Sequence, residues 1–216
     1  PRAAYYIEHQ QMDEFKKLSR KALNFVFLVA SPMMIYFMLF AKQGIYFLSG
    51  DAFGPAVVPM QLIMPTLLLI GITNILGIQI LVPLGYEKAV LVSEIVGAVI
   101  DLVVNALLIP VYQSSGAAIG TLLAEFAVMV VQCIALKNEI KTAFSDIKYL
   151  KIILAIILAS LASCWVTVLN LHVFITLVIS AILFFGVYGL VLIIMKEKLV
   201  IEILTQIFNK LKHKSA

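Results

Sequence analysis

The sequence predicts an all-α protein, a polytopic bundle of six transmembrane helices. Three observations predict this class. Of the 216 residues, 62% are apolar and only 13% are charged, whereas soluble domains have about 45–50% apolar and about 25% charged residues. The mean hydropathy is +1.06. Six apolar runs have about the 20 residues that a helix needs to cross the ~30 Å hydrocarbon core of a bilayer. This composition excludes a disordered chain, and two cysteines exclude a disulfide-rich scaffold.

Charged or turn-forming segments separate the apolar runs. The predicted spans are residues 22–41, 57–84, 89–109, 117–136, 150–169 and 173–195. The spans leave no room for a soluble domain, so residues 22–195 are predicted to form one bundle. Residues 1–21 are then an amphipathic cytoplasmic linker and residues 196–216 a basic amphipathic cytoplasmic tail. Because the chain starts at Pro1 without an initiating Met or a leader, we expect it to be the carboxyl-terminal portion of a longer polypeptide.

The tail has helical periodicity. Its apolar residues recur at three- and four-residue spacing: Leu199, Val200, Ile203, Leu204, Ile207, Phe208 and Leu211. This pattern predicts a helix that lies along the inner leaflet, with its lysines near anionic lipid headgroups. A stop-transfer tail without this role is the alternative.

The distribution of basic residues predicts the orientation. Fifteen of the sixteen Lys and Arg residues lie on one side of the predicted spans, and only Lys42 lies on the other. Basic residues accumulate on the cytoplasmic side, so we expect a multi-pass protein of the plasma membrane with both termini in the cytoplasm. The net charge of +4 is therefore a topology signal, and no nucleic-acid partner is predicted.

Three acidic residues lie inside predicted spans, where a charge costs ~2.5–3.5 kcal/mol at the helix centre. Glu94 and Asp101 are two helical turns apart and share a face, which Asn105 continues. Glu125 lies in the fourth span at the depth of Asp101, because each is eight residues from the short connection between the spans. Two carboxyls so placed near the midplane either retain a proton or hold a cation, which suits coupling to H⁺ or Na⁺. The alternatives are that each acid bonds a polar group on a neighbouring helix, and that Glu94 reaches the cytoplasmic surface.

Other polar and small residues carry weaker signals. Candidate cavity-lining residues are Asn74, Gln79, Ser160, Ser163 and Thr167, although hydroxyls in membrane helices more often bond the backbone. Gly116 and Gly120 form a GxxxG pattern that predicts close helix packing. Kinks are predicted inside spans at Pro32, Pro59 and Pro65.

No enzyme is predicted. The three histidines lie outside the predicted spans without metal-ligand spacing, so no metal site is expected. The sequence contains no P-loop, no GxSxG motif and no dinucleotide-binding motif, so no catalytic residues and no organic cofactor are expected.

Several segments resemble the carboxyl-terminal lobe of Wzx-type oligosaccharide flippases. The most specific run begins at Asp101 and Asn105, continues with Leu-Leu-Ile-Pro at 107–110 and Gly-Ala-Ala-Ile-Gly-Thr at 116–121, and ends at Glu125. Weaker similarities are Pro-Arg-Ala-Ala-Tyr-Tyr at 1–6 and the segments 13–18, 47–51 and 83–88. Gln113 and Ser114 stand where a Gly is common in that family.

The resemblance implies membership of the multidrug/oligosaccharidyl-lipid/polysaccharide exporter superfamily. The chain would then be the carboxyl-terminal lobe of a two-lobed exporter in the bacterial plasma membrane. Its cargo would be undecaprenyl-diphosphate-linked repeat units, moved from the inner to the outer leaflet for capsule or exopolysaccharide assembly beside a polysaccharide polymerase and glycosyltransferases. Three alternatives are a cation-coupled multidrug exporter of the same superfamily, a non-transporting scaffold for polysaccharide assembly, and a multi-pass enzyme.

Overall fold

A computed structural model describes residues 2–137, 143–145, 147–169 and 171–214. The described residues form helices and short turns, without a β-strand. Six helical stretches in this part of the chain are long and apolar enough to cross a membrane. They are Met12–Leu39, Asp51–Leu81, Glu87–Tyr112, Ser114–Ala135, Tyr149–Leu169 and Val173–Ile194. The predicted fold class, an all-α polytopic membrane protein with six spans, is confirmed.

The chain divides into two compact units, Pro1–Ile147 and Lys148–Ala216. The described α-helices of the first unit are α1 (Arg2–Glu8), α2 (Met12–Leu39), α3 (Ala41–Ser49), α4 (Val57–Ile63), α5 (Thr66–Asn74), α6 (Glu87–Tyr112) and α7 (Ser114–Ala135). The first of the six apolar stretches is α2, which begins at Met12, so residues 12–21 of the predicted linker are helical and continue into the predicted span that starts at residue 22. Asp13 and Glu14 lie in the first turn of α2, where acidic side chains interact favourably with the helix dipole.

The second span is the least regular. It consists of a 3-10 helix at Asp51–Ala56, then α4 and α5, and ends in a π-helix at Ile75–Leu81. The interruption between α4 and α5 lies at Pro65, which has no backbone N–H to donate. By contrast, α2 runs through Pro32 and α4 contains Pro59.

The third and fourth spans form a hairpin with almost no loop. α6 continues through Pro110 to Tyr112, and Gln113 alone joins it to α7. The predicted connection at 110–116 is therefore too long, because Pro110 removes one backbone hydrogen bond without ending the helix. Gln113 has φ 49 and ψ −125, a conformation that favours glycine.

The second unit contains a second hairpin. Its α-helices are α8 (Tyr149–Cys164), α9 (Val173–Ile194) and α10 (Lys198–Lys214), with a 3-10 helix at Trp165–Leu169 after α8. α8 packs against α9. The buried residues of α9 recur every fourth position: Thr176, Ser180, Phe184, Tyr188 and Leu192.

A lysine stabilises the end of α9. The Nζ of Lys151, in the first turn of α8, donates to the carbonyl oxygens of Met195 at 2.7 Å and Lys196 at 3.2 Å. It also lies 3.7 Å from the carboxylate of Glu197, whose side chain is 3% exposed. Because the last carbonyls of a helix have no partner within the helix, this contact satisfies part of the C-terminus of α9. It also holds the turn that leads into α10.

Candidate functional site

α6 and α7 pack against each other through small residues. The buried positions of α7 recur at two- and four-residue intervals: Gly116, Ala118, Gly120, Ala124, Val128 and Gln132. A Cβ added at Gly116 would lie 2.5 Å from the carbonyl oxygen of Leu108, and one at Gly97 would lie 3.4 Å from the carbonyl oxygen of Ala124. The two backbones therefore approach as closely as glycine permits, as in other membrane helix pairs with small residues at the interface. We call this contact the α6–α7 seam.

Asp101 and Asn105 meet α7 at Gly120. A Cβ at Gly120 would overlap the Oδ1 atom of Asn105 and lie 3.4 Å from the Oδ1 atom of Asp101. Both oxygens are buried, and neither has a hydrogen-bond partner among the described residues. Because both atoms are acceptors, they are satisfied by a proton carried by Asp101, by a water molecule that donates to them or by a cation that they coordinate.

Glu125 extends this polar patch. The carboxyls of Glu94 and Asp101 lie close enough to that of Glu125 to interact with it electrostatically. Asp101 is eleven residues before the end of α6 at Tyr112, and Glu125 is eleven residues after the start of α7 at Ser114. At 1.5 Å per residue, both lie about 16 Å from the hairpin turn, which is close to the middle of each span.

The structure therefore places all four predicted transport residues, Asp101, Asn105, Glu125 and Glu94, along the α6–α7 seam. Glu94 is exposed and lies nearer the start of α6, whereas the other three are partly buried. The packing alternative requires a hydrogen-bond partner for each acid, and the buried Oδ1 of Asp101 has none among the described residues. No group of three or more His, Cys, Asp or Glu side chains in the described ranges could hold a metal ion.

The weaker candidates lie elsewhere. Asn74 is exposed and its Nδ2 donates to the carbonyl oxygen of Ile70 at 2.9 Å, and Gln79 is exposed on the π-helix. The hydroxyls of Ser160, Ser163 and Thr167 donate to carbonyls of their own helical segments at 2.8, 2.9 and 2.8 Å. A cavity-lining role for these residues stays a prediction, and their hydrogen bonds already satisfy the hydroxyl donors.

Sequence reasoning missed one buried polar contact on the seam. Gln132 is 1% exposed and its Nε2 donates to the Oγ of Ser93, which is 0% exposed, at 3.2 Å. The Ser93 hydroxyl donates in turn to the carbonyl oxygen of Val90 at 2.7 Å. Gln132 Oε1 is buried without a partner among the described residues. The spacing of these residues could have indicated the contact. Gln132 follows Glu125 by two helical turns, and Ser93 precedes Asp101 on nearly the same face of α6.

Comparisons with known proteins add no relative. No protein-family model, no curated protein and no solved structure matches the chain. The resemblance to Wzx-type flippases therefore rests on the motifs in the sequence alone. The features of this chain that bear on its function are the membrane fold and the α6–α7 seam.

Proposed function

We propose that this chain is part of a membrane transporter, a flippase that moves lipid-diphosphate-linked oligosaccharide units from the inner to the outer leaflet for surface polysaccharide assembly. The class of protein is supported by the six spans. The cargo is proposed from the Wzx-type motifs, of which the run from Asp101 to Glu125 is the most specific. The same proposal assigns the chain to the carboxyl-terminal lobe of a two-lobed exporter in the plasma membrane.

The observation that carries the transport proposal is the polar patch of the α6–α7 seam. A charged side chain at the middle of a span costs ~2.5–3.5 kcal/mol, and an unsatisfied buried polar group costs about 1–3 kcal/mol more. Asp101 and Asn105 have unpartnered buried oxygens at mid-span. Binding and release of a proton or a monovalent cation accounts for both features, the acids at mid-span and the buried acceptors without a protein donor.

In this proposal the seam responds to the coupling ion. Binding of H⁺ or Na⁺ between Asp101, Asn105 and Glu125 reduces the repulsion among the carboxyls, and the unpartnered oxygens either accept a hydrogen bond from the bound proton or coordinate the Na⁺. Release restores the repulsion. A transporter that alternates between two packings is biased by such a change, because the ion binds the two packings with different affinity.

The cations that bind the diphosphate of the cargo must come from another part of the protein. Within the described spans, Lys and Arg occur only in the first ten residues of a helix, as with Lys16, Arg20 and Lys21 in α2 and Lys151 in α8. Under this proposal the amino-terminal lobe supplies cationic side chains to the cavity. This chain supplies the ion-responsive seam.

A second candidate is a cation-coupled multidrug exporter of the same superfamily. It is favoured by one observation, that the central parts of the described spans contain acids and no bases. Acidic groups without cationic neighbours suit a positively charged cargo. The two candidates differ in cargo and agree on the role of the seam.

Complementation with the full-length gene tests the proposal. A strain that lacks its repeat-unit flippase is supplied with wild type, Asp101→Asn or Glu125→Gln, and surface polysaccharide is measured. We expect wild type to restore the polysaccharide and each variant to reduce it at least tenfold. The matched control is Glu87→Gln, an exposed acid in the first turn of α6, which should behave as wild type.

The outcomes separate the candidates. Full polysaccharide with both seam variants contradicts the role of the seam. Wild-type protein that restores no polysaccharide but lowers the accumulation of a cationic dye, with the loss of this activity in Asp101→Asn, supports the multidrug exporter instead. A wild-type protein active in neither assay contradicts transport.

A further inference from the structure

The second span contains a short helix with an irregularity at each end. α5 starts after Pro65, where no N–H is available to continue the hydrogen bonding of α4. α5 ends at Asn74, where the π-helix at Ile75–Leu81 begins. In the π-helix the N–H of Val82 donates to the carbonyl oxygen of Gly77 at 2.9 Å, so the turn contains one residue more than an α-helical turn. α5 is therefore a rigid nine-residue segment between two weak points.

The π-helix is held by a contact with α7. A Cβ at Gly77 would lie 3.1 Å from Nε2 and 3.7 Å from Oε1 of Gln132. A side chain at this position would press the amide back by a few tenths of an ångström. The amide is itself oriented by its hydrogen bond to Ser93 of α6. The π-helix, α6 and α7 thus meet at one buried polar side chain.

The Gln132 amide is only partly hydrogen-bonded. Gln132 Oε1 is buried and has no donor among the described residues. An amide with an unsatisfied oxygen in an apolar region holds its neighbour less firmly than a fully bonded one. π-Helical turns are rare, are less favourable than α-helical turns and recur at functional sites. The π register is therefore maintained by the surrounding contacts and is poised to change.

We propose that Ile75–Leu81 is a register switch that converts between π- and α-helical hydrogen bonding, and that the Gln132 amide holds it in the π register. Conversion lengthens the segment and displaces α5 by one residue, which is about 1.5 Å along its axis and about 100° around it. Asn74, now exposed, moves to the position of Thr73, now buried. The switch thereby changes which polar side chains α5 presents on each face. This inference does not depend on the cargo.

Distance measurement by pulsed electron paramagnetic resonance tests the switch in the full-length protein in lipid nanodiscs. Cys133 and Cys164 are replaced by Ala, and spin labels are placed at Asn74→Cys and at Leu102→Cys, an exposed site on α6. We expect a second distance whose weight relative to the first rises about fivefold in Gln132→Leu, the factor that the loss of one hydrogen bond of about 1 kcal/mol produces. Deletion of the exposed Ile78 removes the extra residue and should leave one distance.

A second variant keeps the test valid if Gln132→Leu does not fold. Gly77→Ala places a methyl group against the Gln132 amide and should raise the weight of the second distance in the same direction. Its matched control is Gly44→Ala, whose Cβ would make only an ordinary contact, 3.5 Å from Met60, and should change nothing. One distance, identical in wild type, Gln132→Leu and Gly77→Ala, would overturn the proposal. Neither outcome depends on transport activity.

Discussion

Replacement of Gly116 by alanine is the sharpest test of the α6–α7 seam. The added Cβ would lie 2.5 Å from the carbonyl oxygen and 2.6 Å from the carbonyl carbon of Leu108. These are backbone atoms of the facing helix, so no side-chain rotation relieves the overlap and α6 has to move. Gly186 of α9 is the matched control, because it is also helical and a Cβ there has no atom within 4 Å.

The two substitutions should change the free energy of unfolding in opposite directions. Alanine is favoured over glycine in a helix interior by about 1 kcal/mol, so Gly186→Ala should raise the free energy of unfolding by up to about that amount. In Gly116→Ala the same gain is opposed by an overpacking cost of about 1–3 kcal/mol, at the upper end because the clash is with backbone. We expect Gly116→Ala to lower the free energy of unfolding by about 1–2 kcal/mol.

Thermal unfolding of the purified full-length protein in detergent, followed by the loss of the monodisperse chromatographic peak, measures the difference. A change of 1 kcal/mol corresponds to about 2–4 °C in Tm for a chain of 150–250 residues and to less for a longer protein, so the two variants should differ by several degrees and by at most about 12 °C. Equal Tm values, or a more stable Gly116→Ala protein, would refute the close approach of α6 and α7. Gly120→Ala should be less destabilising than Gly116→Ala, because it meets the movable side chain of Asn105.

The remaining predictions concern the seam, the hairpin turn and the second unit. In a double-mutant cycle, Gly120→Ala should cost less by about 1 kcal/mol in an Asn105→Ala background than in wild type, and strict additivity in Tm would contradict the contact between these residues. Gln113→Gly should raise the Tm by a few degrees, because glycine adopts φ 49 without the strain of about 1 kcal/mol that a side chain incurs; a lower Tm would show that the turn differs. Lys151→Met should lower the free energy of unfolding by about 2 kcal/mol, because it removes a charged donor from the carbonyls of Met195 and Lys196. Lys151→Arg retains a charged donor and should lose less, and an equal loss in both variants would contradict the contribution of the charged donor.

The hydrophobic pattern predicted the six spans and the third–fourth hairpin because span length is set by bilayer thickness, a property that local sequence reports directly. The ends of the helices were less predictable from the sequence. Pro110 was expected to follow the end of the third span, yet α6 continues to Tyr112, because the loss of one backbone hydrogen bond does not end a helix that packs along α7. Likewise residues 12–21, the later half of the predicted amphipathic linker, are helical and begin α2, so no helix end lies at the predicted boundary at residue 22.

By itself the sequence determined the class of protein and the shared face of Glu94, Asp101 and Asn105, because hydropathy and a 3.6-residue period are properties of one segment. The tertiary structure decided what that face meets. The register of α6 on α7 sets Asp101 and Asn105 against Gly120, and the meeting of three helices places Gln132 beside Ser93 and the π-helix. Such contacts join residues far apart in the chain. The free energy of these contacts belongs to the packing between helices and is absent from any single segment.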